Sequence, residues 1–215
     1  MKKIIIFLCL LLLTGIVSRA QWSAGAGYLR SELVSRDAPG GAAGKAVFDG
    51  LYAGASYALP LAYGISFVPG LYYEYLAQGA KTEGHVLDFI GETREHYLSV
   101  PLSFSCGVSL LPELRLVLYA GPTFRVGIDS VTSYSLGWDV HEFEVLKGGL
   151  SDHNYNNGDY SRFDILLGGG GALELFGRVR LQMGYDAGLL NRYIGELDGA
   201  RTHVRRLSAG IAYLF

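Results

Sequence analysis

Hydrophobic and polar positions alternate with a period of two along most of the chain. In RVRLQMGYDAGLL (178–190), Val179, Leu181, Met183, Tyr185, Ala187 and Leu189 share one face of an extended segment. Arg178, Arg180, Gln182, Gly184, Asp186 and Gly188 share the other, because side chains of a strand point to opposite sides in turn. The same separation runs through YLSVPLSFSCGV (97–108), RFDILLGGGGALEL (162–175) and the terminal RRLSAGIAYLF (205–215). None of these segments carries the 3.6-residue period of a helix. The pattern predicts strands with one oily and one polar face.

Eight such strands are expected, at about 22–33, 47–59, 63–78, 92–108, 115–129, 160–175, 178–190 and 201–215. Their connections alternate. LPLAYG, LLPEL and FGR are tight, whereas the stretches near 34–46, 79–91, 130–159 and 191–200 are longer and more polar. A chain that zigzags through a membrane makes short periplasmic turns and longer outer loops. The fold class predicted is therefore all-β, an eight-stranded antiparallel transmembrane β-barrel with up-and-down meander order. A soluble eight-stranded barrel alternates too, with its apolar residues turned inward around a ligand. Two features favour the membrane form. The polar faces are rich in Gly, Ser and Ala, as a narrow filled lumen needs, and Tyr73, Tyr75, Tyr213 and Phe215 stand near strand ends as in an interfacial girdle. A last strand that closes the barrel also explains why the chain stops on an aromatic residue in mid-alternation.

The N-terminus supplies an address. Lys2 and Lys3 precede the apolar run IIIFLCLLLL, and Ser18 and Ala20 fit the small-residue positions of a signal-peptidase site before Gln21. The apolar core is shorter than the ~20 residues of a spanning helix. Residues 1–20 are therefore expected to be a cleaved signal peptide and residues 21–215 an outer-membrane barrel domain. Removing Lys2, Lys3 and Arg19 leaves 15 basic against 20 acidic residues, with no basic stripe for a nucleic acid. Cys106 is then the single cysteine, which excludes an internal disulfide and a thiolate metal cluster. Thirty Gly, fifteen Tyr and ten Phe suit sheet more than helix.

Three segments in order, YLSVPLSF (97–104), LYAGPTFRVG (118–127) and FDILLGGGGALEL (163–175) followed by YDAGLLN (185–191), together with the terminal Tyr-Leu-Phe, resemble the PorT-like outer-membrane β-barrel family. The resemblance spans residues 22 to 215 and implies a small eight-stranded barrel in the outer membrane. It implies little about activity; the family takes its name from a member linked to protein secretion. Pro69, Pro101 and Pro122 fall inside predicted strands. Proline lacks a ladder donor and a closed barrel has no edges, so each should mark a bulge or a missing bond.

Nine charged residues fall on polar faces and are expected to form a lumen network: Glu74, Glu95, Arg125, Asp164, Glu174, Arg178, Arg180, Asp186 and Arg206. Hairpin arithmetic sets Asp186 opposite Arg206 about position 196. It also sets Glu74 beside Glu95 about the loop near 84, where two carboxylates would need a cation, Arg125 or Arg206, between them. Such a network either fills the lumen or builds a proton or ligand site.

Other motifs carry less. The tetraglycine Gly168–Gly171 lacks the Lys-Ser/Thr and the helix of a phosphate loop, which points to close strand approach instead. DHNYNNGD (152–159) spaces Asp152, Asn154 and Asn156 as a calcium loop does, but its glycine comes one residue late and Phe163 stands where a bidentate Glu is needed. His96 and Ser99 would face opposite sides of one strand, as would His203 and Ser208, so neither pair makes a hydrolase dyad. Tyr134, Trp138, Phe143 and Tyr155 lie in the long third loop as candidate contacts for a partner, unless that loop folds over the mouth and buries them. No catalytic residue, cofactor or metal is expected. The expected role is a non-enzymatic outer-membrane barrel acting through surface loops, as an interaction or accessory component of an envelope or secretion assembly. Its partners would be outer-membrane lipid and an envelope protein. A narrow pore or small-solute-binding barrel is the alternative, and a lipid-modifying enzyme a third.

Overall fold

A computed structural model describes residues 21–36, 44–62, 64–82, 88–137, 150–153, 155, 160–192 and 201–215. The expected signal peptide, and Trp138 and Phe143 of the third loop, lie outside the described residues. Nine strands occur among them: β1 (Gln21–Arg36), β2 (Gly44–Pro60), β3 (Ile65–Thr82), β4 (Asp88–Leu111), β5 (Leu114–Gly137), β6 (Leu150–His153), β7 (Phe163–Leu175), β8 (Val179–Gly188) and β9 (Arg201–Leu214). Eight form a closed antiparallel meander, in which β1 pairs with both β2 and β9, and β4 with β5. The ninth, β6, is a short strand on the upper part of β5, inside the stretch expected to be loop.

The alternation sets the two faces as expected. Leu181, Met183 and Tyr185 point outward, as do Leu207, Ile211, Tyr213 and Phe215, while Arg206, Ala212 and Leu214 are buried inside. Trp22, Leu51, Leu71, Phe104 and Leu118 continue the apolar exterior around the barrel. A soluble barrel would turn these residues inward. The strands outrun the sequence estimate mainly at the end bearing the long connections, where β4 and β5 reach 24 residues each.

Each of the three prolines expected inside strands stands beside a gap in the ladder. The β2–β3 pairing keeps one register but skips the positions around Pro69, β3–β4 skips Pro101 and β4–β5 skips Pro122. The missing donors thus cost local pairs without slipping any strand. The register shifts lie elsewhere, between His96 and Tyr97 and between Ser109 and Leu111. At the first of these, Ile128 is an extra residue. Below it odd-numbered residues of β5 such as Arg125 face the lumen; above it Ser130 and Thr132 are buried instead.

Tyrosines fill the lumen by lying over glycines. A Cβ added at Gly27 would stand 2.6 Å from Tyr52, one at Gly54 2.6 Å from Tyr72, and one at Gly184 2.7 Å from the Tyr119 hydroxyl. The tetraglycine belongs to this arrangement. Side chains at Gly168 and Gly170 would run into the backbone of β8, and at Gly170 also into Tyr119. Small residues on one wall make room for large ones from the other, which suits an eight-stranded interior.

Candidate functional site

The charged residues of the polar faces meet in two tiers. The upper tier centres on Glu74 of β3, 2% exposed. Arg206 of β9 donates from Nη1 to Glu74 Oε1, and its Nη2 lies 2.8 Å from Asp186 Oδ2 on β8. Arg125 Nε lies 2.9 Å from Glu74 Oε2. The Ser99 hydroxyl donates to Glu74 Oε1 at 2.5 Å. The Arg125 guanidinium also stacks on Tyr97, 3.5 Å from the ring centroid. Two cations from opposite walls therefore bracket one carboxylate, which offsets the cost of burying it.

Glu95 sits nearer the mouth, where it accepts from Tyr97 Oη at 2.6 Å and from the Ser130 hydroxyl at 3.4 Å. Its cation is Arg192, 3.9 Å away and 2% exposed. Tyr155 closes over this group. Its hydroxyl accepts from Arg192 Nη2 at 3.5 Å, its ring occupies the space where a Gly127 side chain would be, and Arg162 lies 5.2 Å from the ring centroid. Asp164 lies opposite Arg125 on β7, and its Oδ1 accepts the Ile165 amide at 2.8 Å.

The lower tier is Glu174 on β7, held by Arg180 at 2.6 Å and Arg115 at 3.5 Å. Between the tiers lies a cavity of about 130 Å³, lined by Tyr52, Tyr72, Tyr119 and several serines.

Several expectations need correction. Glu74 and Glu95 are not paired: Glu74 lies opposite Tyr97, and Glu95 opposite Leu76, because the β3–β4 hairpin is centred one residue later than the assumed symmetry, which shifts the register by two. Arg178 does not enter the lumen. It is exposed in the turn after Phe176 and Gly177, whose positive φ values of 54° and 63° break the alternation. Tyr155 is buried at 9% exposure, so it is no open loop contact. Tyr134 pairs with Leu150 in the β5–β6 ladder. Asp186 and Arg206 do pair.

Arg115 and Arg192 escaped the sequence reading, although both share the parity of known inward residues. Arg115 is in step with Arg125, and Arg192 with Asp186, since its amide still pairs with Thr202 beyond the end of β8.

On the outside, the wall changes character above the apolar belt. His96 faces outward, with Nδ1 2.5 Å from Tyr73 Oη, while Ser99 points into the lumen. One turn of alternation higher, the hydrogen bond from Arg94 holds the exposed Glu92 carboxyl below its ordinary range, with Nε to Oε1 at 2.9 Å.

Among solved structures, the chain is similar to Ail, the attachment invasion locus protein of Yersinia pestis, crystallised with the heparin analogue sucrose octasulfate. Identity is 12% over 92% of this chain and 99% of that one, with a TM-score of 0.48. Neisserial surface protein A follows at 15% identity, covering 92% and 100%, TM-score 0.44. The outer membrane enzyme PagL shows 12% identity over 87% and 98%, TM-score 0.38. No curated protein matches the sequence. A family profile, described as outer membrane protein beta-barrel domain, matches residues 19–192. With its apolar exterior, closed meander and charge-filled interior, the chain belongs to this outer-membrane β-barrel family and resides in the outer membrane.

Proposed function

We propose that the protein is a non-enzymatic surface component of the outer membrane, an interaction or accessory part of an envelope or secretion assembly. The observation that carries this reading is the height of one wall. A tilted strand crosses the bilayer in about 9–11 residues, yet β4 and β5 run for 24 each and pair with one another from Asp88 and Gly137 downward. β3 joins this ribbon on one side, through Thr82 opposite Phe89, and β6 on the other. The result is a paired platform above the membrane, a better base for a partner than a bare loop. The guanidinium–carboxylate bridge from β9 to β3 across the lumen argues in the same direction, since it obstructs a water path. The PorT-like motifs at 97–104, 118–127 and 185–191 agree with a place in a secretion-related assembly. His96 and Ser99 lie on opposite faces, so these two do not form a hydrolase dyad with one another.

The cavity between the tiers supports a second reading, a narrow pore or small-solute binder. Cross-linking in native outer membranes, with the ribbon shortened by deleting 88–93 and 132–137, separates the two. One envelope protein recovered in near-stoichiometric amount with the full chain, and lost with the short ribbon, is the expected result. Equal recovery by both forms, or conductance of the wild-type barrel above background in a planar bilayer, would sink the proposal.

A further inference from the structure

On β9, β1 and β2 the apolar exterior ends at Leu207, Tyr28 and Leu51, all well exposed. The next outward positions toward the long-loop end are charged: Arg205, Arg30 and Asp49. Arg30 lies opposite Leu207, and Glu32 opposite Arg205, so the two arginines are diagonal neighbours on one face. Diagonal positions in a ladder are about 7–8 Å apart, within joint reach of one small group for side chains of this length.

The acids of this patch are already engaged. Lys45 Nζ lies 2.9 Å from Glu32 Oε1, and the Tyr28 hydroxyl donates to Asp49. Arg30 and Arg205 are exposed, and neither enters an ion pair among the described residues. Two guanidiniums outside any salt bridge among the described residues, that of Arg30 in reach of the Tyr28 hydroxyl and both near Glu32, therefore stand immediately above side chains that face acyl tails. The geometry points to a phosphate-bearing lipid of the outer leaflet, its phosphate clamped by Arg30 and Arg205 and its acyl chains lying along Tyr28, Leu51 and Leu207. Guanidinium groups match phosphate oxygens in a forked geometry, and height alone selects a lipid source over a soluble one. A free anion would gain the charge contact but none of the apolar one.

The test uses the full barrel, refolded in a non-ionic detergent, with lipid A as the probe and native mass spectrometry as the readout. Heat-modifiable gel mobility first establishes that each variant is folded. Each of Arg30→Gln and Arg205→Gln should weaken lipid A binding about fivefold, and the pair about 25-fold. Arg94→Gln, whose parent is paired with Glu92 elsewhere on the rim, should leave binding unchanged. Dephosphorylated lipid A should bind the wild type as weakly as lipid A binds the double variant. The inference is overturned if the double variant retains wild-type affinity or if the dephosphorylated lipid binds equally well. Displacement of lipid A by millimolar inorganic phosphate would also overturn it, by assigning the arginines to a free anion. Should the double variant fail to fold, either single variant decides the matter by the same fivefold criterion.

Discussion

Arg206 and Glu74 are bound to one another across the barrel lumen, although 132 residues separate them in sequence and β1 and β2 stand between their strands in the sheet. The same guanidinium holds Asp186 on the adjoining strand. One side chain thus ties the wall formed late in the chain to the wall formed early. Hydrogen bonds between neighbouring strands cannot do this, because they act only around the circumference.

Replacing Arg206 by Met should therefore lower stability sharply. It would leave Asp186 without its cation and Glu74 with Arg125 alone. Removing one partner of a buried charge pair costs about 3–5 kcal/mol. Urea unfolding in detergent, followed by gel mobility, should show an earlier midpoint. An unchanged midpoint would mean that Asp186 and Glu74 are satisfied without Arg206.

The tyrosine-over-glycine packing predicts a coupled pair. Gly184→Ala would put a Cβ 2.7 Å from the Tyr119 hydroxyl and 3.0 Å from Ser208 Oγ. Overpacking of this kind costs about 1–3 kcal/mol. Tyr119→Phe removes the hydroxyl, which donates to the Met183 carbonyl at 2.9 Å. In that background Gly184→Ala should cost measurably less, and the double-mutant cycle should close with a favourable coupling. Strict additivity would show that the two do not compete for the same space.

Facing can be tested within one strand. Met183 is 62% exposed on the outer wall, and Gln182 beside it points inward and donates to Tyr52 Oη at 3.0 Å. Met183→Arg places a charge in the acyl region and should cost about 2–4 kcal/mol in lipid vesicles. Gln182→Ala loses one hydrogen bond and should cost about 1 kcal/mol. The reverse order of costs would turn the barrel inside out.

How far the sequence discloses this structure depends on the kind of information. Facing follows from the two-residue period, so the inward side chains of Glu74, Arg125, Asp164, Glu174, Arg180 and Arg206 could be named from the sequence. Register does not follow, because it depends on where each hairpin turns. The β8–β9 hairpin is symmetric and its Asp186–Arg206 pair was legible. The β3–β4 hairpin turns one residue later than assumed and so shifts the register by two, which preserves every facing but moves Glu95 from Glu74 to Leu76. Arg178 shows the other failure: alternation was carried into a turn whose positive φ angles suspend it. A strand of four residues such as β6 has too few positions to display a period, and its pairing with β5 is a tertiary matter. The same holds for Tyr155, whose burial depends on the space left by a glycine 28 positions away in the chain.

That last contact predicts a cap on the lumen. Tyr155 lies against Gly127 and the Arg192 side chain, above Glu95 and Ser130, and Ser130 is 1% exposed. If the ring is what keeps water from this level, its removal should expose Ser130. The reporter is Ser130→Cys in a Cys106→Ala background, which removes the native exposed thiol. A water-soluble maleimide should label this cysteine slowly in the parent and about tenfold faster after Tyr155→Ala, the response expected when local opening becomes easier by one decade. Tyr155→Phe keeps the ring and loses the hydroxyl that meets Arg192, so it should label nearly as slowly as the parent. Fast labelling in the Phe variant would assign the closure to the Arg192 hydrogen bond, and slow labelling in the Ala variant would show that other groups seal the mouth.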